Sequence, residues 1–299
     1  MKAFVLLNAA AGTASKLRVN DPREHVREAF AAQGIEAEVL AVPPPEIRGV
    51  AAEAARGSAD VVVAGGGDGT VSSVAASLVG GNKPLGILPL GTLNHFAKDL
   101  ALPQELDAAI RVIAAGTVRY VDVGQVNEHC FINNSSIGIY PAIVRERDEL
   151  RLHTGRSKWI AMLMAALRVL RRFPLLQVRL DAQEGPLRRK TPFVFVGNNR
   201  YEISLLKLGA RTCLDRGELS LYVANCTTRL GMLRLAVRAL IGRLDQAADF
   251  ESQSLSQLTV ETRRRRVSVA LDGEVVRLVP PLVYRSRPRS LPVIVPAAA

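Results

Sequence analysis

Val61-Val62-Val63-Ala64-Gly65-Gly66-Gly67-Asp68-Gly69-Thr70 is the stretch on which the reading of the whole chain turns. An apolar run that stops at four glycines around one carboxylate, ahead of the helix-like segment Val71 to Val79, reads as strand, tight loop and helix. Gly65, Gly66, Gly67 and Gly69 are expected to take positive φ and turn backbone N–H groups toward one point, where the N-terminal end of the next helix adds partial positive charge. Such a loop cradles phosphate. Two familiar phosphate loops do not match. The Walker pattern lacks its Lys here, and the dinucleotide fingerprint lacks its last Gly, because Thr70 stands there. Asp68 would repel phosphate, so it points to a metal or a proton handled beside it. A strand-to-helix turn with a capping Asp explains less, since four glycines exceed what a turn needs.

The 299 residues suit one large or two medium domains, and 48% hydrophobic content supports real cores. The apolar stretch Trp159 to Leu167 is interrupted by Arg168, Arg171 and Arg172, well short of a membrane span. Met1 to Leu7 is too short an apolar run for a signal peptide and reads as a first strand, which makes a cytoplasmic protein the expectation. Cys130, Cys213 and Cys226 lack any Cys-x-x-Cys spacing, against both a disulfide framework and a zinc site. The formal charge of +11 comes from arginine and favours an anionic partner. With 5% aromatic residues and no nucleic-acid module, nucleotide phosphates and an acidic membrane surface rank above nucleic acid, which is not expected as a partner.

Residues 3 to 7, Ile35 to Val42, Val61 to Ala64 and Leu85 to Pro89 read as strands. Between them stand helices from Asp21-Pro22, over Glu46 to Arg56 and from Val71, with another at Leu106 to Ala115. This alternation implies a doubly wound parallel sheet, with ligands at the carboxyl ends of the strands. Asn8-Ala9-Ala10-Ala11-Gly12 and the glycine loop both sit at such ends. From about Val118 short alternating runs take over, Cys130 to Asn134 among them, with helical insertions at Pro141 to Leu170 and Thr228 to Leu244. The fold class expected is therefore α/β plus all-β: a doubly wound N-terminal domain over residues 1–122, rejoined by a strand from 285–299, and a β-rich sandwich domain over 123–284.

The second motif is Leu88-Pro89-Leu90-Gly91-Thr92-Leu93-Asn94-His95-Phe96-Ala97. Gly-Gly-Gly-Asp-Gly-Thr followed by Pro-x-Gly-Thr-x-Asn-x-Phe-Ala resembles the catalytic domain of diacylglycerol kinases, sphingosine kinases and their bacterial lipid kinase relatives. Asp122-Val123-Gly124, Phe131-Ile132-Asn133-Asn134, Gly197-Asn198-Asn199, Leu214-Asp215-Arg216-Gly217 and Leu271-Asp272-Gly273-Glu274 extend the resemblance in order along nearly the whole chain. It implies a nucleotide-binding domain and a β-rich domain with ATP between them, and transfer of the γ-phosphoryl to a lipid hydroxyl, most simply a diacylglycerol. It further implies that Asn8, Ala9, Ala10, Ala11 and Gly12, with Gly66, Gly67, Asp68, Gly69 and Thr70, hold ATP phosphates, that Thr92 adds a hydroxyl, and that Asn94 faces the substrate. Asp68 would bind or orient Mg²⁺. Glu274 is the family's usual base for the acceptor proton, with Asp272 nearby. Asp272-Gly273 is also a strong hairpin signal.

Departures from the family pattern are local. Ser72-Ser73 replaces Asn-Glu, His95 replaces Asp, Val42-Pro43 stands where a Thr often contacts ATP, and Tyr201-Glu202-Ile203-Ser204 replaces Tyr-Gly-Gly-Gly. Arg216 replaces the Asp of a structural magnesium site, leaving Asp215 as the remaining oxygen ligand there. Two other functions compete. An NAD kinase-like small-molecule kinase would want an Asn-Glu pair where Asn134 is followed by Ser135, and a non-catalytic nucleotide- or lipid-binding protein would not need Asp68, Thr92, Asp272 and Glu274 together. A lipid substrate calls for a membrane surface. The segment Arg156 to Arg172, apolar in the middle and basic at its ends, is the expected helix for peripheral contact with anionic membrane, with Arg238 and Arg243 as an alternative. The reading admits a homodimer.

Overall fold

The computed structural model describes residues 1–9, 21–154, 164–165, 168–169, 171, 175–182, 185–202, 210–211, 213–240 and 250–297. Ala10, Ala11, Gly12 and most of the segment Arg156 to Arg172 lie outside the described residues, as do Ile203 to Gly209 and Ile241 to Asp249. The chain divides into two compact units, Met1–Val123 with Pro288–Ala299, and Gly124–Arg287.

In the first unit the strands β1 (Lys2–Asn8), β2 (Glu36–Val42), β3 (Val61–Gly66) and β4 (Leu85–Pro89) pair in parallel in the order β2-β1-β3-β4, and Val293 pairs with Leu85 to extend the sheet. Helices α1 (Pro22–Ala31), α2 (Ile47–Arg56), α3 (Asp68–Leu78), α4 (His95–Asp99) and α5 (Leu106–Ala115) follow in turn. Period-two alternation sends Ala3, Val5, Leu7, Val61 and Val63 into one core with Phe30 of α1 and Ile110 and Ile113 of α5. The intervening Leu6, Val62 and Ala64 are equally buried, and α2 and α3 pack against β1 and β3. A sheet covered on both faces explains why its strands read as unbroken apolar runs. Asp21 caps α1 by accepting the N–H groups of Arg23 and Glu24, Pro22 opens the helix, and Gly116 ends α5 at a φ of 71°.

Two expectations for the glycine stretch are corrected here. The helix starts at Asp68, earlier than Val71, so Gly69 and Thr70 belong to its first turn. None of Gly65, Gly66, Gly67 and Gly69 has a positive φ; Gly67, for one, is extended at −89°, −175°. What Gly65, Gly66 and Gly67 provide is close approach.

The second unit begins within β5 (Val118–Val126). There follow β6 (His129–Phe131), β7 (Asn134–Gly138), α6 (Ile139–Thr154), β8 (Leu176–Ala182), β9 (Gly185–Thr191), β10 (Phe193–Asn198), the short pair β11 (Tyr201–Glu202) and β12 (Ala210–Arg211), β13 (Leu219–Ala224), α7 (Arg229–Leu240), β14 (Phe250–Leu255), β15 (Gln257–Thr262), β16 (Val267–Leu271), β17 (Glu274–Leu278) and β18 (Leu282–Ile294). One sheet runs β14-β13-β10-β7-β16-β17, and the other sets the start of β18 beside β15, β8 and β9. Val178, Leu180, Leu258 and Val260 from the second sheet share a core with Ile137, Val194, Val196, Leu221 and Val269 from the first, as a sandwich requires. Tyr284 is fully enclosed in that core, its ring edge-on to Phe131 and its hydroxyl 3.0 Å from Ser135 Oγ; burial holds its phenol well above the ordinary value. The expected α/β plus all-β class, with a sandwich second, is what the chain forms.

Within this unit the run Cys130 to Asn134, expected as one strand, is split between β6 and β7. The N–H groups of Ile132, Asn133 and Asn134 turn to a side chain, as set out below, and leave the ladder. Six described strands had no counterpart in the expectation or only part of one: β7, β9, the short β11 and β12, β14 and the greater part of β18.

Candidate functional site

The glycine stretch resolves into the last residues of β3, one extended residue and the first turn of α3. A Cβ on Gly66 would run into the Thr70 side chain, and Thr70 Oγ1 accepts a 2.9 Å hydrogen bond from Asn8 Nδ2 at the end of β1. Adjacent parallel strands thus bring Asn8, Gly66 and Thr70 together. The head of α3 has no side-chain cap, so the N–H groups of its first turn remain as donors beside the helix's positive end.

The loop after β4 lies directly against this one. Leu90 N–H donates to Gly66 O at 3.0 Å, and a Cβ on Gly91 would collide with Gly67 Cα, so position 91 has to be glycine for the two backbones to touch, while a Cβ on Gly67 would be a tight 3.3 Å from Gly91 Cα. Asn94 locks the second loop from within. It sits at a left-handed φ of 51°, is 5% exposed, and its Nδ2 donates to Pro89 O, Gly91 O and Gln104 Oε1, each at 3.0 Å. Its Oδ1 is buried with no hydrogen-bond partner among the described residues. Thr92 and His95 are exposed, one on the loop and one at the start of α4.

Asp68 is half-buried between these loops. Its Oδ1 accepts the Phe96 N–H at 3.4 Å, a long bond that leaves most of the carboxylate's lone pairs for another partner. Such an oxygen, next to uncapped helix donors, is of the type that would hold a hard cation such as Mg²⁺, which characteristically takes one or two carboxylates together with phosphate and water oxygens. Among the described residues no group of three His, Cys, Asp or Glu could hold a metal without such help. Ala9, expected among the phosphate donors, has its N–H engaged by Val42 O at 3.0 Å.

In the second unit, Asp272 and Gly273 form the two-residue turn between β16 and β17, with φ of 48° and 92°. Both positive values match the turn that Asp-Gly favours. The Asp272 carboxylate accepts three backbone N–H groups, from Ile132 at 2.8 Å, Asn133 at 2.8 Å and Asn134 at 2.9 Å. The same segment is gripped through its oxygens. Arg211, 5% exposed, donates to Ile132 O at 2.7 Å, Asn198 O at 3.1 Å and Asn133 Oδ1 at 2.8 Å, and Asn198 Nδ2 also donates to Ile132 O. Glu274, the first residue of β17, stands exposed beside this clamp. Asp215 is half-buried and the adjoining Arg216 exposed.

The motif residues Asp122, Asn133, Asn198 and Asn199 turn out to be buried supports; Asp122, for example, accepts the Arg289 N–H at 2.8 Å. Gln104, which supports Asn94 in the loop after β4, and Arg211, which holds Ile132 and Asn133 in the second unit, were not singled out from the sequence. Gln104 lies ten residues from Asn94 in no recognisable pattern, and Arg211 looks like one more of the many surface arginines.

With this geometry in view, the comparisons with known proteins are direct. Residues 2–126 match the diacylglycerol kinase catalytic domain family, and residues 135–295 match the YegS C-terminal NAD kinase beta sandwich-like domain family. The "Probable lipid kinase YegS-like" protein of Citrobacter koseri is 45% identical over 102 residues, which cover 32% of this chain and 34% of that protein. "Probable lipid kinase YegS" of Escherichia coli is 42% identical over 114 residues, covering 36% of this chain and 38% of that protein. The matched region is therefore little more than a third of these relatives' length. A crystal structure of a diacylglycerol kinase from Bacillus anthracis superposes with a TM-score of 0.66 at 19% identity, over 99% of this chain and 97% of that one, a likeness of fold.

Proposed function

This chain belongs to the family that joins a diacylglycerol kinase catalytic domain to a YegS-type β-sandwich domain, and on that premise we propose that it is an ATP-dependent lipid kinase. It transfers the γ-phosphoryl of ATP to a lipid hydroxyl, with a diacylglycerol-like alcohol as acceptor. The observation that carries this reading is the pair of touching loops, Gly66–Thr70 and Gly91–Asn94, with the little-engaged Asp68 carboxylate between them.

Phosphoryl transfer asks a protein mainly for positioning and for stabilisation of charge. The uncapped N–H groups at the head of α3, with Gly67 and the Asn8–Thr70 pair, bind the phosphates, and the exposed Thr92 hydroxyl adds a donor. Asp68 would hold Mg²⁺, which would supply neutralisation of charge on the phosphates. Asn94 keeps its loop in place through Nδ2 and offers Oδ1 to a donor on the substrate. Glu274 takes the proton as the acceptor oxygen bonds to the γ-phosphorus and the bridging bond to the β-phosphate oxygen breaks, releasing ADP. Asp272 positions rather than reacts, because its oxygens already accept three N–H groups.

A lipid acceptor also implies contact with a membrane, and α7 supplies support for it. Leu230, Leu233 and Val237, at helical spacing, are 79%, 51% and 47% exposed, with Arg234 exposed beside them. An apolar stripe facing solvent on a basic helix is suited to lie in an anionic interface. No helix among the described residues is long and apolar enough to cross a membrane.

The test is transfer from γ-labelled ATP to a panel of lipid alcohols, with NAD as a control acceptor and with and without Mg²⁺. Label on a diacylglycerol with none on NAD is the expected result. Label on NAD, or on no acceptor with ATP still bound, would replace this reading with one of the two competing functions.

A further inference from the structure

A cavity of about 410 Å³ opens in the second unit, at the end of the β16–β17 hairpin opposite its Asp272 turn. Its lining is divided by chemistry. Ala142 of α6, Val169, Leu176 and Val267 give it an apolar wall, while Arg145, Arg264, Arg266 and Arg277 line it as well. The architecture puts them there: α6 packs on β16 and β17, Arg277 pairs across the hairpin with Ser268, and Arg264 and Arg266 lie in the turn that leads into β16. Glu146 also lines the cavity, but its charge is met by Arg168 Nη1 at 2.9 Å. No carboxylate among the described residues pairs with Arg264, Arg266 or Arg277, and all three are exposed.

Three guanidinium-bearing side chains with no carboxylate partner among the described residues favour an anion at this apolar hollow, and arginine forks match phosphate oxygens in bidentate geometry. The apolar wall has no use for a bare inorganic ion. We propose that this cavity is a binding site for an amphiphilic phosphate, with the phosphate held by Arg264, Arg266 and Arg277 and an apolar chain lying against Ala142, Val169 and Val267. Its chemistry differs from that of the phosphate cradle in the first unit, which rests on backbone donors and a cation-binding carboxylate. A phosphorylated lipid is also what the proposed reaction yields, but the site stands on its own lining and does not depend on that reaction.

Equilibrium binding measured by calorimetry without ATP tests it, using water-soluble dihexanoyl phosphatidic acid, dihexanoyl phosphatidylcholine and inorganic phosphate as probes. The full chain should bind the phosphatidic acid and bind inorganic phosphate far more weakly. The triple variant R264Q/R266Q/R277Q should weaken phosphatidic acid binding by roughly tenfold or more for each charge-assisted hydrogen bond removed. A142W, which fills the hollow and leaves every arginine in place, should weaken it as well, with thermal unfolding checking that both variants are folded. Undiminished binding by the folded triple variant overturns the proposal. So does inorganic phosphate binding as tightly as the lipid, which would make this a free-phosphate site, and so does equal affinity for the phosphatidylcholine. Because no nucleotide or transfer is involved, failure here leaves the kinase reading untouched, and loss of kinase activity leaves this site untouched.

Discussion

Asp68-Gly69 and Asp272-Gly273 are the same dipeptide, and the chain uses them in opposite ways. At Asp68 the glycines keep negative φ, the residue opens a helix, and its carboxylate accepts a single long N–H bond. At Asp272 both residues are left-handed, the dipeptide turns a hairpin, and the carboxylate accepts three backbone N–H groups at 2.8–2.9 Å. A carboxylate with its lone pairs taken is a structural tie, whereas one left with them is available to a cation or a proton. The dipeptide does not decide between these roles. What decides is whether the chain elsewhere presents donors, as Ile132 to Asn134 do for Asp272.

Glu274, the exposed residue that follows the Asp272-Gly273 turn, carries the largest expected effect. Glu274→Gln is expected to lower kcat by about 10²–10⁴-fold with ATP affinity nearly unchanged, since the loss arises only when the acceptor proton has to leave. Steady-state kinetics with nucleotide binding measured separately checks this; a large fall in ATP affinity at normal kcat would make Glu274 a nucleotide contact. Next in size, Asp272→Ala removes the acceptor for three N–H groups and should destabilise the protein by about 3 kcal/mol in denaturant unfolding. A loss below about 0.5 kcal/mol would show that water replaces the carboxylate and that the tie is weak. Smallest, Gly91→Ala forces a methyl against Gly67 Cα. It should cost about 1–3 kcal/mol of stability while reducing ATP binding, because the two loops must part. Unaltered ATP binding in a folded Gly91→Ala protein would mean that their contact does not shape the nucleotide site.

Much of this could be read from residues alone where the physics is local. Val61 to Ala64 and Leu85 to Leu88 are apolar on both faces because the sheet is covered on both faces, and Asp21-Pro22 announces α1 by its own cap. The strands that escaped notice were mostly those with little to bury. Gly185–Thr191 and Phe250–Leu255 are terminal strands of their sheets, and Arg188, Arg189 and Lys190 or Glu251, Gln253 and Ser254 keep the charge and polarity that an edge strand needs. In the candidate site, glycine and carboxylate positions were legible and their division of labour was not. Asp272 grips residues up to 140 positions away, and Arg211 reaches Ile132 across 79, so neither role leaves a local pattern. Positive φ, expected of the glycines from their lack of a side chain, is not what these positions adopt. Gly65 and Gly66 instead make room for the Leu7 and Thr70 side chains, and Gly67 meets Gly91, a contact between two loops that the paired strands β3 and β4 bring together.

The paired substitution Asp68→Asn and Asp272→Asn tests the central claim most directly, with initial rates of lipid phosphorylation and thermal unfolding measured on both proteins. Asp68→Asn should unfold at the wild-type temperature and lose about a hundredfold or more of its transfer rate, while Asp272→Asn should lose thermal stability and retain more of its rate where folded. A folded Asp68→Asn protein turning over at the wild-type rate would contradict the account.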